Sequence, residues 1–112
     1  MTLDPHALRV RTVAALGSHA DALSGTVLAR AEIEVEPDAA RWESSHGLVR
    51  AHLVTLYVPA DLVLALEARP AVRDEIVAAF ARALGDTPGH ALADLRIEPV
   101  TPSRGVDRGP YR

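Results

Sequence analysis

Residues 29–58 read ARAEIEVEPDAARWESSHGLVRAHLVTLYV, and the fold turns on whether this stretch is one hairpin. Its first part sets Arg30, Glu32, Glu34 and Glu36 at every second position, with Ala31, Ile33 and Val35 between them. Successive side chains on a strand point to opposite faces. The spacing therefore predicts a strand over 27–36, with Val27, Ala29, Ala31, Ile33 and Val35 on a core face. Leu28, Arg30 and the three glutamates take the other face. The last part predicts a second strand over 48–58, stopped by Pro59. Val49, Ala51, Leu53, Thr55 and Tyr57 share one side of it; Leu48, Arg50, His52, Val54, Leu56 and Val58 share the other. Between the two strands, EPDAARWESSHG reads as a connection, with a turn of helix opened by Pro37.

An antiparallel register that sets Glu34 opposite Arg50 and Glu32 opposite His52 matches unlike charges across the strands. Each such pair is worth roughly 0.2–1 kcal/mol. This gives a candidate ligand-binding set of His52, Glu32, Glu34 and Arg50, in which a carboxylate beside His52 would make it a pH-sensitive contact. The competing reading is a hairpin with a solvated, salt-paired outer face. Other constellations are weaker. Glu43 and His46 have the i, i+3 spacing of helical metal ligands, but SSHG argues for a turn there. Ser44 and Ser45 beside His46 lack a G-x-S-x-G frame. His6, His19 and His90 fall near element ends and are expected to face solvent. No metal or cofactor is expected.

The same outer face carries Leu28, Val54, Leu56 and Val58 at its far end. Burying such side chains is worth roughly 1.5–3 kcal/mol each, so a cover is required. Either the N-terminal helix supplies it, or a second copy does through a two-fold interface. Trp42, in the expected connection, is either a lid on the core or an anchor for a partner.

Outward from the hairpin, Asp4 followed by Pro5 predicts a helix over 5–16 ending before Gly17. Leu8, Val10 and Thr12 also alternate with Arg9 and Arg11, which keeps a strand open there. SHADALSG can add a turn or two of helix to Gly25. Residues 60–85 predict two helical pieces broken at Pro70, the second carrying Val72, Ile76, Ala79, Phe80, Ala83 and Leu84 on one stripe. Residues 91–98 alternate again, with Ala91, Ala93, Leu95 and Ile97 inward. The fold expected is α+β: an antiparallel sheet of three to four strands with two to three helices mainly on one face. A strand over 7–13 would make it βαββαβ, ferredoxin-like. Residues 1–100 form one domain. Residues 101–112, TPSRGVDRGPYR, read as a disordered tail.

Composition excludes more than it suggests. The 112 residues contain no Cys, Lys, Asn or Gln. Thiolate chemistry, Schiff bases and the phosphate-binding P-loop are therefore out. The Ala-, Val- and Arg-rich bias is that of a GC-rich bacterial coding sequence. The net charge is −3, and the tail's Arg104, Arg108 and Arg112 outweigh Asp107, which leaves a net −5 elsewhere. An acidic body in a chain with only four aromatics, Trp42, Tyr57, Phe80 and Tyr111, lacks the basic stripe and stacking platform that nucleic-acid binding needs. No apolar run reaches the ~18 residues of a membrane span, and no signal peptide is visible, so a cytoplasmic location is expected. LDPHALR, LGSHADALSG and WESSHG are faintly similar to type VII secretion substrates. Trp42 and Gly47 do not stand in W-x-G spacing, however, and the alternating segments contradict an all-helical chain. The function expected is a non-enzymatic binding or assembly protein, partnered with itself or another protein. A small enzyme or ligand-binding domain built on His52, Glu32, Glu34 and Arg50 is the alternative.

Overall fold

Asp4 opens the first helix as expected. Its carboxylate accepts from the N–H groups of His6 and Ala7, both at 3.3 Å, and Pro5 occupies the first helical position. The helix, α1 (Pro5–Leu16), stops at Gly17, whose φ of 78° suits glycine. The computed structural model describes residues 4–100. The expected tail over 101–112 lies outside the described residues. Among those described, the element order continues α2 (Ala22–Arg30), β1 (Glu32–Ser44), β2 (Gly47–Val58), α3 (Ala60–Ala68), α4 (Pro70–Gly85) and β3 (His90–Pro99).

Residues 27–30 are helical, not extended. Asp21 caps α2 by accepting from the Leu23 N–H at 2.9 Å. Ser24, Val27, Leu28 and Ala31 are all buried, a spacing of three and four that marks a helical stripe. The alternation over 27–31 that suggested a strand comes from small residues that fit either period. Glu75 of α4 ties down the start of α2, accepting from the Asp21 N–H at 3.1 Å and from the Ser24 hydroxyl. Arg9 of α1 ties down its end, donating to the carbonyls of Leu28 and Ala31. A cation at a helix C-terminus meets both the unpaired carbonyls and the negative end of the dipole. Arg9→Ala should therefore cost about 1.5–3 kcal/mol, seen as a lower urea midpoint with unchanged m-value. An unchanged midpoint would show that Arg9 holds nothing.

The sheet has three strands in the order β1-β2-β3. β1 and β2 form the antiparallel hairpin, but β3 runs parallel to β2. The sheet is mixed, because the α3–α4 crossover returns the chain to the end where β2 began. Helix over 5–16 also removes the strand that a ferredoxin-like order needs. Pro70 divides α3 from α4 as expected, with Arg69 out of the helical region at φ −134° and ψ 72°. The α4 stripe of Val72, Ile76, Ala79, Phe80, Ala83 and Leu84 is buried throughout.

Register differs by parity from the expected one. Glu34 pairs with Thr55, Val35 with Val54 and Glu32 with Tyr57. A slip of one residue exchanges the two faces of a strand. Ile33 and Val35 thus share the core face with Val54, Leu56 and Val58, under the helices. Leu28, Val54, Leu56 and Val58 are all fully buried in the chain's own core. They need no second copy to cover them, and the dimer interface expected there is corrected to intramolecular packing. The opposite sheet face stays uncovered, with Glu32, Glu34 and Glu36 on β1 and Asp94, Arg96 and Glu98 exposed on β3.

The β3 edge is blunted. Val100 donates its N–H to the Val58 carbonyl, so the backbone groups of the even-numbered residues just before it address β2 while those of Leu95, Ile97 and Pro99 point to the open edge. The Leu95 N–H is taken by the Asp94 carboxylate at 2.9 Å, and the Leu95 carbonyl accepts from Arg73 at 3.2 Å. Pro99 has no N–H. Among the described residues no helix is long and apolar enough to cross a membrane.

Candidate functional site: the arm and its root

β1 does not end at Glu36. It runs to Ser44 and turns back through Ser45 and His46 into Gly47. Ser44 organises this turn. Its hydroxyl donates to the Gly47 carbonyl at 2.9 Å and accepts from the His46 N–H at 3.1 Å. The nearby serines and histidine therefore form a turn, with Glu43 on the strand before it. Among the described residues no three His, Asp or Glu side chains come together as a metal site.

A bulge divides the hairpin. Glu36 pairs with Leu53 and Ala40 with Ala51, so Pro37, Asp38 and Ala39 together stand against His52 alone. Asp38 has φ 56°, a left-handed conformation that costs a non-glycine residue about 1 kcal/mol and that Asn and Asp tolerate better than most. Past the bulge, β3 begins at His90 opposite Arg50. Residues 41–49 are thus a two-stranded ribbon with no helix over it. Within this arm Trp42 pairs with Val49 and Arg41 with Arg50. Trp42 lies on a strand, and it is 47% exposed, as is Leu48.

Two arginines directly opposite each other repel. Asp38 answers both. Arg50 grips its carboxylate bidentately, Nε to Oδ1 at 2.8 Å and Nη2 to Oδ2 at 2.6 Å, and Arg41 lies 3.4 Å from Oδ2. The Arg50 hydrogen bonds hold the Asp38 carboxyl below the usual carboxylate range, and Asp38 in turn raises Arg50. The backbone N–H of Asp38 donates to His52 Nδ1 at 3.0 Å. His52 Nε2 lies 2.8 Å from His90 Nδ1. The ring centres are 5.0 Å apart with planes 22° from parallel. The nitrogen separation fills more than half of that distance and the ring radii fill the rest, so the imidazoles meet end to end. That is the geometry of a hydrogen bond. An ion between them needs about 2 Å to each nitrogen, and the gap has no room for one.

His52 is buried. Burial lowers its pKa from the ordinary 6.5; the neighbouring charges on His90 and Arg50 push the same way, and Asp38 opposes them.

The four expected ligand-binding residues are not brought together. His52 and Arg50 belong to the arm root. Glu32 and Glu34 lie on the uncovered sheet face, where Glu34 accepts from the Tyr57 hydroxyl at 3.1 Å. That face holds a shallow groove of about 260 Å³, between Glu34, Glu36, Thr55, Tyr57, Arg96 and Glu98. His52 does not line it. Asp38 and His90 were not expected at the site. His90 arrives through the crossover from 38 residues away in sequence, and only the Asp after Pro37, a residue tolerant of left-handed backbone, marks the bulge locally. No protein-family model, curated protein or solved structure matches this chain.

Proposed function

We propose that this chain is a non-enzymatic binding or assembly protein that grips a partner protein with its β1–β2 arm. One observation supports this above others: residues 39–50 are almost wholly uncovered, yet they carry the chain's sole tryptophan and Leu48. A two-stranded ribbon alone in water is marginally stable. Trp and Arg are the side chains that most often anchor interfaces, and Trp42 and Arg41 both stand on the ribbon. The enzyme reading loses support because the carboxylates and the histidine it needs lie on opposite faces of the sheet.

The test uses Trp42 itself. Its emission should shift to the blue when a partner covers the arm. Light scattering then shows whether that partner is a second copy or a different chain. Trp42→Ala combined with Leu48→Ser should leave the melting temperature nearly unchanged, since neither residue touches the core cluster. The same pair should weaken binding by about 30-fold or more, the loss of an interface anchor worth about 2 kcal/mol. A wild-type chain that stays monomeric, keeps no stoichiometric partner from its native cells and retains solvent-exposed tryptophan emission overturns the proposal.

A further inference from the structure

The hydrogen-bond chain at the arm root has only one direction. A backbone N–H can only donate, so His52 Nδ1, which accepts from Asp38, carries no proton. Neutral His52 then holds its proton on Nε2 and donates it to His90 Nδ1. His90 in turn holds its own proton on Nε2. One amide thus fixes the tautomers of two rings, and the two nitrogens without a proton, Nδ1 of each ring, both already accept a hydrogen bond. A further proton on His52 must go to Nδ1, against the Asp38 N–H. A further proton on His90 must go to Nδ1, against the His52 N–H.

We propose that the His52–His90 pair is a proton-operated latch on the arm: adding a proton to either ring breaks the chain that holds the Asp38 bulge, and the arm loses its fixed aim. As regulation of partner binding this rests on the arm reading above; as a property of the isolated chain it does not.

The surrounding charges leave the added proton poorly housed. From β1, the Asp38 carboxylate is the natural acceptor, but Arg50 of β2 already holds both its oxygens and Arg41 approaches one. From β3 comes His90 itself. From the α4–β3 turn, the Thr87 carbonyl accepts the His90 backbone N–H, Asp86 lies in the same turn, and Arg11 of α1 reaches Thr87 and Ala83. The direction in pH follows from burial. With the folded His52 pKa lowered, the unfolded chain takes up a proton before the folded one does. The stability His52 contributes is full above 6.5 and is lost as pH falls from there through the folded value.

The experiment follows the free chain by nitrogen-15 NMR. At about pH 7.5 the spectra should show His52 protonated on Nε2 and bare on Nδ1. Between about pH 7.5 and 5, the Asp38 amide should lose protection from exchange by about five- to tenfold after correction for the intrinsic rate, the loss of one ordinary hydrogen bond. Trp42 anisotropy should fall over the same range. His90→Gln, whose side-chain carbonyl can still accept from His52, should keep the Asp38 amide protected at about pH 7.5. His52→Phe should free the bulge at both pH values. Should that buried replacement fail to fold, the wild-type tautomer and exchange measurements decide alone. Reversed tautomers at neutral pH, or both rings protonated with the Asp38 amide and Trp42 unchanged, overturn the latch. A pH-insensitive arm that still binds sinks the latch and spares the binding proposal. A pH-sensitive arm that binds nothing does the reverse.

Discussion

Leu56→Arg should yield no soluble folded protein. Leu56 is fully buried near the C-terminal end of β2, the middle strand of the sheet, on the face beneath the helices. Its neighbour across the hairpin is Ile33, and on the other side Ile97. A guanidinium placed there meets no carboxylate on its own sheet face, since Glu32, Glu34, Glu36 and Glu98 project from the opposite side. Burying an unpaired charge costs several kcal/mol after relaxation, and the lost leucine packing adds about 2–5 kcal/mol. Together these approach the whole stability of an ordinary domain, about 5–15 kcal/mol. The measurement is soluble yield and far-ultraviolet circular dichroism against wild type. A well-folded monomer would mean that this face is an oligomer interface after all, with the helices not packed on it.

Phe80→Ala should cost about 3–5 kcal/mol. Phe80 is the only phenylalanine, and it is fully buried in α4 within a cluster made of aliphatic side chains. No neighbouring aromatic can swing in to fill the space, and the helices around it are tied by Arg9, Arg11 and Glu75 to fixed backbone positions. A cavity that cannot collapse shows the upper part of the range. Urea unfolding should give a lower midpoint at unchanged m-value. Leu64→Ala is the control: Leu64 is 65% exposed on α3, and its loss should lie within about 0.5 kcal/mol. Equal losses at the two positions would contradict the packing described.

The elements most legible in the sequence are those whose burial prints a full period. The α4 stripe, the Pro70 break and the Asp4 cap all appear where expected. The α2–β1 boundary is illegible because Val27, Ala29 and Ala31 satisfy a period of two as readily as Ser24, Val27, Leu28 and Ala31 satisfy a helix. The arm resembles a connection in sequence for a different reason. Alternation marks a strand only when one face is buried, and residues 39–50 bury neither. β2 is apolar on both faces, so its own residues could not say which side the helices cover. The candidate site shared these limits. His52 and Arg50 stand out in the sequence, but the register that pairs them with Glu32 and Glu34 is ruled out by the true parity and the Asp38 bulge. The contact with His90 depends on a crossover that no local pattern announces.

The blunted outer border of β3 has a consequence for the chain at high concentration. Cross-β polymers grow by adding one strand at a time to an open ladder of amides and carbonyls. Here Asp94 and Arg73 occupy the rungs at Leu95, and Pro99 removes another. At the far border, the row of glutamates on β1 would face its own kind in any symmetric addition. Among the described residues these features disfavour strand addition at part of each border, a protection that suits a molecule carrying an exposed tryptophan ribbon.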